Sequence, residues 1–93
     1  MEKILPKSIP IYGKRFAVRE VKNSNFLGMM DYDSSTIYIN FSLHKKPKHV
    51  IHTFWHEIFH AFHYRLGLHQ CLSSDVLEIL AESQATLIVE MFY

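Results

Sequence analysis

Between Lys48 and Leu66 the chain carries apolar residues at the spacing of a single helix, and the two sides of that helix differ in chemistry. On a wheel of 100° per residue with His56 at zero, His49, His52, His60 and His63 fall within about 40°. Ile51, Phe54, Ile58, Ala61 and Phe62 fall on the far side. Such a segment is held to a core by one face and offers imidazoles on the other. Pro47 suits the first turn and Gly67 the position just past the last. A second helix is expected from Ser73 or Ser74, whose hydroxyls can cap free amides, with Asp75 and Glu78 near its positive end. It runs through Ile79, Leu80, Ala81, Ala85, Leu87, Ile88 and Met91 almost to Tyr93, and the connector 67–73 is short enough for the helices to pack together.

Before Pro47 the punctuation changes to Gly, Pro, Asn and Ser, and the apolar pattern to period two. Ile9–Tyr12 and Phe16–Val21 read as one extended or bent strand broken at Gly13, and Asn23, Ser24 and Asn25 as a turn. Met29–Tyr32 and Thr36–Phe41, flanking Asp33, Ser34 and Ser35, read as a hairpin, with Ile37, Ile39 and Phe41 on one face and Thr36, Tyr38 and Asn40 on the other. The expected fold class is therefore α+β: a small antiparallel β-sheet followed by two α-helices, in one domain over residues 1–93.

Ninety-three residues with 48% hydrophobic content suit one core, and a core of that size gains from a metal or a partner. A formal charge of +1 argues against nucleic acid binding driven by bulk charge; the basic cluster Lys45, Lys46 and Lys48 reads as a solvated loop. Cys71 has no second cysteine to pair with, which fits a reducing compartment. Neither a signal-peptide pattern nor an apolar run of bilayer length is present, so the expected location is the cytoplasm, with no membrane partner.

The middle of the first helix reads His56-Glu57-Ile58-Phe59-His60. Histidines four apart rise from successive turns of one face, so both imidazoles can reach one zinc ion at about 2.0 to 2.1 Å. Glu57 sits about 100° round the helix, where it can take a proton from a zinc-activated water without displacing either ligand. This is the chemistry of peptide hydrolysis, with Glu57 as general base.

Such a site needs a third protein ligand. A histidine six residues after His60 is ruled out, because position 66 is Leu and position 63 is His rather than Gly. Glu78 and Glu82 remain, four apart on one face of the second helix. The dipole already explains an acid at Glu78, whereas Glu82 lies mid-helix beside Ala81 and Ala85 and needs a charged partner there, so Glu82 is the expected ligand and Glu78 the other eligible acid. The acid not used can orient a ligating imidazole from behind. His52 and His63 are secondary candidates for contact with ligands or substrate; His44, His49 and His69 are weaker, and Trp55 and Phe59 are expected in the core rather than in a substrate pocket.

These segments resemble the minimal gluzincin-type zincin metallopeptidases, especially the short ones of phages and mobile elements. The residues concerned are Gly28–Ile39, Thr53–Ala61 and Leu80-Ala81-Glu82, and the resemblance spans roughly 9–93. It implies a zincin-like minimal fold, Zn²⁺ held by His56, His60 and Glu82, Glu57 as base, and a peptide or protein substrate aligned along the exposed strand Thr36–Phe41. It also implies a viral or prophage origin and a role inside a bacterial cell. Larger members carry a further subdomain past the third ligand, so a second copy or a partner protein is expected to complete the cleft, unless the substrates are a narrow set of exposed segments or the activity is weak or lost. The alternative from another class is a non-catalytic module in which zinc joins the helices and the exposed strand recruits a protein. A histidine-rich binder without metal predicts a melting temperature indifferent to chelators.

Overall fold

The computed structural model describes residues 5–22, 25–44 and 46–93. Asn23 and Ser24 of the expected turn, Lys45 of the basic cluster and residues 1–4 lie outside them. The strands are β1 (Ser8–Ile11), β2 (Lys14–Val21), β3 (Gly28–Asp31) and β4 (Thr36–Asn40); the helices are α1 (Pro47–Arg65) and α2 (Ser74–Phe92). Short 3-10 turns at Phe41–Leu43 and Leu68–Gln70 close the corners after β4 and α1. The α+β class is as expected, and each long helix ends within a residue or two of its expected bounds.

The sheet, however, is mixed rather than antiparallel. Its order is β1-β2-β4-β3, with β2 and β4 parallel and the outer pairs antiparallel. The expected single bent strand is a hairpin: Ile11 pairs Lys14, and Tyr12 and Gly13 between them both have positive φ, 48° and 85°. Two such residues make the two-residue turn whose twist matches the strands, and the Tyr-Gly pair was its only local signal. The expected hairpin forms over Gly28–Asn40, with Tyr32 in its turn and Phe41 already in the 3-10 turn that follows, but β4 becomes an inner strand. Ile37 and Ile39 have no exposure, and a strand that apolar is best buried between neighbours, leaving shorter β3 at the edge. The substrate-aligning edge expected at Thr36–Phe41 is thus not an edge; β3 is.

One face of the sheet packs Ile11, Phe16, Ile37 and Ile39 against Val50, Phe54 and Ala61 of α1. Full burial of such side chains is worth roughly 1.5 to 3 kcal/mol each for the larger ones. The other side of α1 receives α2, whose Ala81 and Ala85 have no exposure. Without side chains beyond Cβ at those places, the two helices approach closely. The Ser73 hydroxyl caps α2 by accepting from the Val76 amide at 3.3 Å, and Gly67 at φ 78° turns the chain out of α1. Among the described residues no helix is long and apolar enough to cross a membrane.

Candidate metal centre

Close packing of α1 on α2 sets up a ladder of side-chain contacts. His52 Nε2 lies 3.2 Å from Thr86 Oγ1, His56 Nδ1 lies 2.8 Å from Glu82 Oε1, and His60 Nε2 lies 2.9 Å from Glu78 Oε2. Each step of four residues forward along α1 is a step of four back along α2, so the helices run antiparallel and the rungs follow the helical repeat. The register of this ladder decides which acid faces which nitrogen.

The two Nε2 atoms of His56 and His60 are 3.1 Å apart, and the Glu78 carboxylate spans them, with Oε1 2.8 Å from His56 and Oε2 2.9 Å from His60. One donor atom from each of these three residues falls within a mutual 4.8 Å. Glu82 stands behind: it accepts from Nδ1–H of His56, with its second oxygen 3.3 Å from His52. That bond makes Nδ1 the donor to Glu82 and leaves Nε2 as the ring atom that faces Glu78. Both expected acids are therefore at the centre, but with places exchanged: Glu78 stands where Glu82 was expected. The sequence argument for Glu82 assumed an apolar setting, whereas its side chain is 55% exposed and that of Glu78 61%. Two imidazole nitrogens and one carboxylate oxygen form a donor set suited to zinc. Burial and the neighbouring His56 lower the pKa of His60, which favours the neutral ring that a metal requires.

Glu57 is buried, with 8% exposure, on the sheet side of the cluster. Burial raises its carboxyl to a pKa of about 7; His56 opposes this and Glu78 adds to it. Its neighbour across the cleft is Gly28 of β3. A Cβ there would lie 2.6 Å from Thr53 Cγ2 and 3.2 Å from both Cγ and Oε2 of Glu57. Thr53 cannot rotate away cheaply. His44 gives its Nδ1–H to the Asn40 carbonyl at 2.6 Å, and its Nε2 is hydrogen-bonded to the Thr53 hydroxyl at 2.8 Å, which pins that side chain. Gly28→Ala is accordingly expected to destabilise the metal-free protein by about 1 to 3 kcal/mol in denaturant unfolding, and to push Glu57 out of place.

The remaining histidines separate clearly. His63, expected on the open face, is buried at 3% and reaches Gln84 Oε1 at 2.7 Å through Nε2, while its Nδ1 has no hydrogen-bond partner among the described residues. His49 is exposed, and His69 stacks on Tyr64. Trp55 and Phe59 pack on each other, half-buried, with ring centroids 6.0 Å apart. Sequence reasoning gave no role to Gly28 or Tyr32. The Tyr32 phenol is held above its ordinary pKa by burial first, then by the charges of Glu57, Tyr64 and Glu78, so it stays a hydrogen-bond donor beside the cluster. A glycine next to Met-Met-Asp-Tyr was the only hint of either. Comparisons with protein-family models, with curated proteins and with solved structures gave no match.

Proposed function

We propose that the protein is a zinc-dependent peptidase of the minimal gluzincin kind, with His56, His60 and Glu78 holding the ion and Glu57 acting as general base. The observation that carries this reading is the convergence of two imidazole nitrogens and a carboxylate, within 4.8 Å, over a buried glutamate beside β3, the edge strand of the sheet among the described residues. When bound, zinc supplies a Lewis acid that brings the pKa of a water near 7 and polarises a carbonyl.

The chain's own residues account for the rest. Glu57, with a pKa of about 7 before metal is added, can exchange a proton near neutral pH, taking it from a water and giving it to a leaving amine. Glu82, hydrogen-bonded to Nδ1, fixes the orientation of the His56 ring. Tyr32 offers an O–H to an oxygen that gains negative charge. The Leu27 carbonyl accepts from the Asn40 amide at 2.9 Å, so residues 27, 29 and 31 direct their backbone groups toward β4. Gly28 and Met30 direct theirs outward, where an extended peptide can pair. A cleft of about 410 Å³ lies between this edge and the cluster, lined by Gly28, His52, His56, Glu57, Glu78 and Glu82 among others.

The test joins metal content to cleavage. Zinc-loaded protein is expected to hold one ion per chain and to cut peptides from a degenerate library, with loss on chelation and recovery on adding zinc. Chelation should also lower the melting temperature. Zinc at about 100 times its dissociation constant adds about 2.7 kcal/mol, which for a domain of this size is roughly 10 to 20 °C. One zinc per chain with no cleavage of any peptide would replace the peptidase by a zinc-stabilised binding module. No zinc and an unmoved melting temperature would remove both.

A further inference from the structure

A second cavity, of about 340 Å³, adjoins the cluster on the His60 side. Glu78 lines both it and the cleft under β3, so the two open onto the same carboxylate from opposite flanks. We propose that this cavity receives an aromatic side chain, that of the residue immediately N-terminal to the bond cut. The proposal rests on the peptidase reading above and names its substrate class.

The walls favour such a guest. Tyr32 stacks on Tyr64 with centroids 4.1 Å apart and planes 17° apart, and Tyr64 stacks on His69 at 4.4 Å and 19°. Three separate parts of the chain, the β3–β4 turn, the end of α1 and the Leu68–Gln70 turn, thus contribute one stack of rings. Rings locked by stacking lose little entropy on binding, and stacked rings offer their positive edges to the face of another ring. Leu77 of α2 adds an aliphatic side chain to the lining. Tyr32 and Tyr64 remain 37% and 39% exposed, so apolar ring surface is there to be covered. The volume lies at the low end of the roughly 300 to 1,000 Å³ of ligand pockets, which suits one large side chain rather than a long segment.

The sheet edge fixes which side of the bond this is. β3 runs from Gly28 toward Asp31, with Tyr32 following. A peptide adding to its outer edge pairs more stably antiparallel, and so enters at Tyr32 and leaves at Leu27. Glu57 lies against Gly28, which places the reacting bond there. The residue before that bond is then on the Tyr32 side, over the ring-walled cavity. The flank beyond it carries Leu27, His52, Thr53 and Glu82, with no ring stack.

The experiment digests a degenerate peptide library with zinc-loaded wild type and maps the cuts by mass spectrometry. It then compares kcat/KM for matched peptides with Phe or Ala before the cut. Phe, Tyr and Trp are expected to precede the cut, with Phe favoured over Ala by about 10 to 100-fold. Ser74→Trp and Leu77→Trp each fill the cavity, and each should bring that ratio close to one. Ser74 is an exposed lining residue, so Ser74→Trp carries the test if Leu77→Trp fails to fold. Cuts without preference for the preceding residue, aromatic preference only after the cut, or a ratio unchanged in Ser74→Trp would each overturn this proposal while leaving a peptidase. No cleavage by the zinc-loaded wild type would overturn both.

Discussion

Glu57→Gln in the zinc-loaded protein is expected to reduce peptide hydrolysis by about 10² to 10⁴-fold, the usual contribution of a positioned general base. One zinc per chain should be retained. The amide matches the carboxylate in shape and fits the space beside Gly28 and Thr53, so the fold is kept while the proton acceptor is lost. The same substitution has a second effect, opposite in sign, on the metal-free protein. Folded Glu57 holds its proton up to about pH 7, whereas the unfolded chain releases it near the ordinary 4.5. Its contribution to stability is therefore fully present below pH 4.5 and is lost as pH rises through 7, an amount of about 3 kcal/mol. Gln has no charge to bury. Denaturant unfolding of the two metal-free proteins should show Glu57→Gln gaining on wild type across that interval, and holding its advantage above it. The lowered pKa of His60 acts in the other direction, losing stability as pH falls below 6.5, but it is common to both proteins and cancels in their difference. A difference that stays flat with pH would mean that Glu57 is solvated rather than buried.

Glu78→Gln and Glu82→Gln are expected to part company on metal content. Glu78 touches both Nε2 atoms, so in the proposed set of three ligands Glu78→Gln removes one, and zinc per chain should fall well below one after dialysis. Glu82 touches His56 from the far side of the ring. Its loss should weaken affinity by roughly 10 to 100-fold, as for other groups that orient a ligating imidazole. Near-complete occupancy should then return when zinc is raised by that factor. Elemental analysis of both variants beside wild type reads the difference directly. Loss in Glu82→Gln alone would give the ligand place to Glu82, and equal losses would overturn the division of roles between the two acids.

The histidine pair and the glutamate between them are legible because they share one helix, whose geometry is fixed by hydrogen bonds between near neighbours. Position in the sequence is then position in space. The same holds for the ends of α1 and α2, where Pro47, Gly67 and Ser73 act within a turn of themselves. It holds less well for the first strands. At Tyr12 and Gly13 two residues of positive φ reverse the chain, and a Tyr-Gly pair also fits an irregular extended strand.

What the chain by itself determined is the α+β class, the two-faced helix and the identity of the residues gathered along it, His56, Glu57 and His60 of α1 and the two acids of α2. Tertiary structure decided the rest. Whether Glu78 or Glu82 faces the paired nitrogens depends on how far α2 slides along α1, and Ala81 and Ala85 set that by letting the helices meet. Whether β3 or β4 lies at the edge depends on the parallel pairing of β4 with β2, which buries Ile37 and Ile39 on both sides. The ring wall of Tyr32, Tyr64 and His69 joins residues that no local period relates. Contacts between segments are chosen by packing of whole surfaces, and a shift of one helical turn or one strand position changes them without changing any residue.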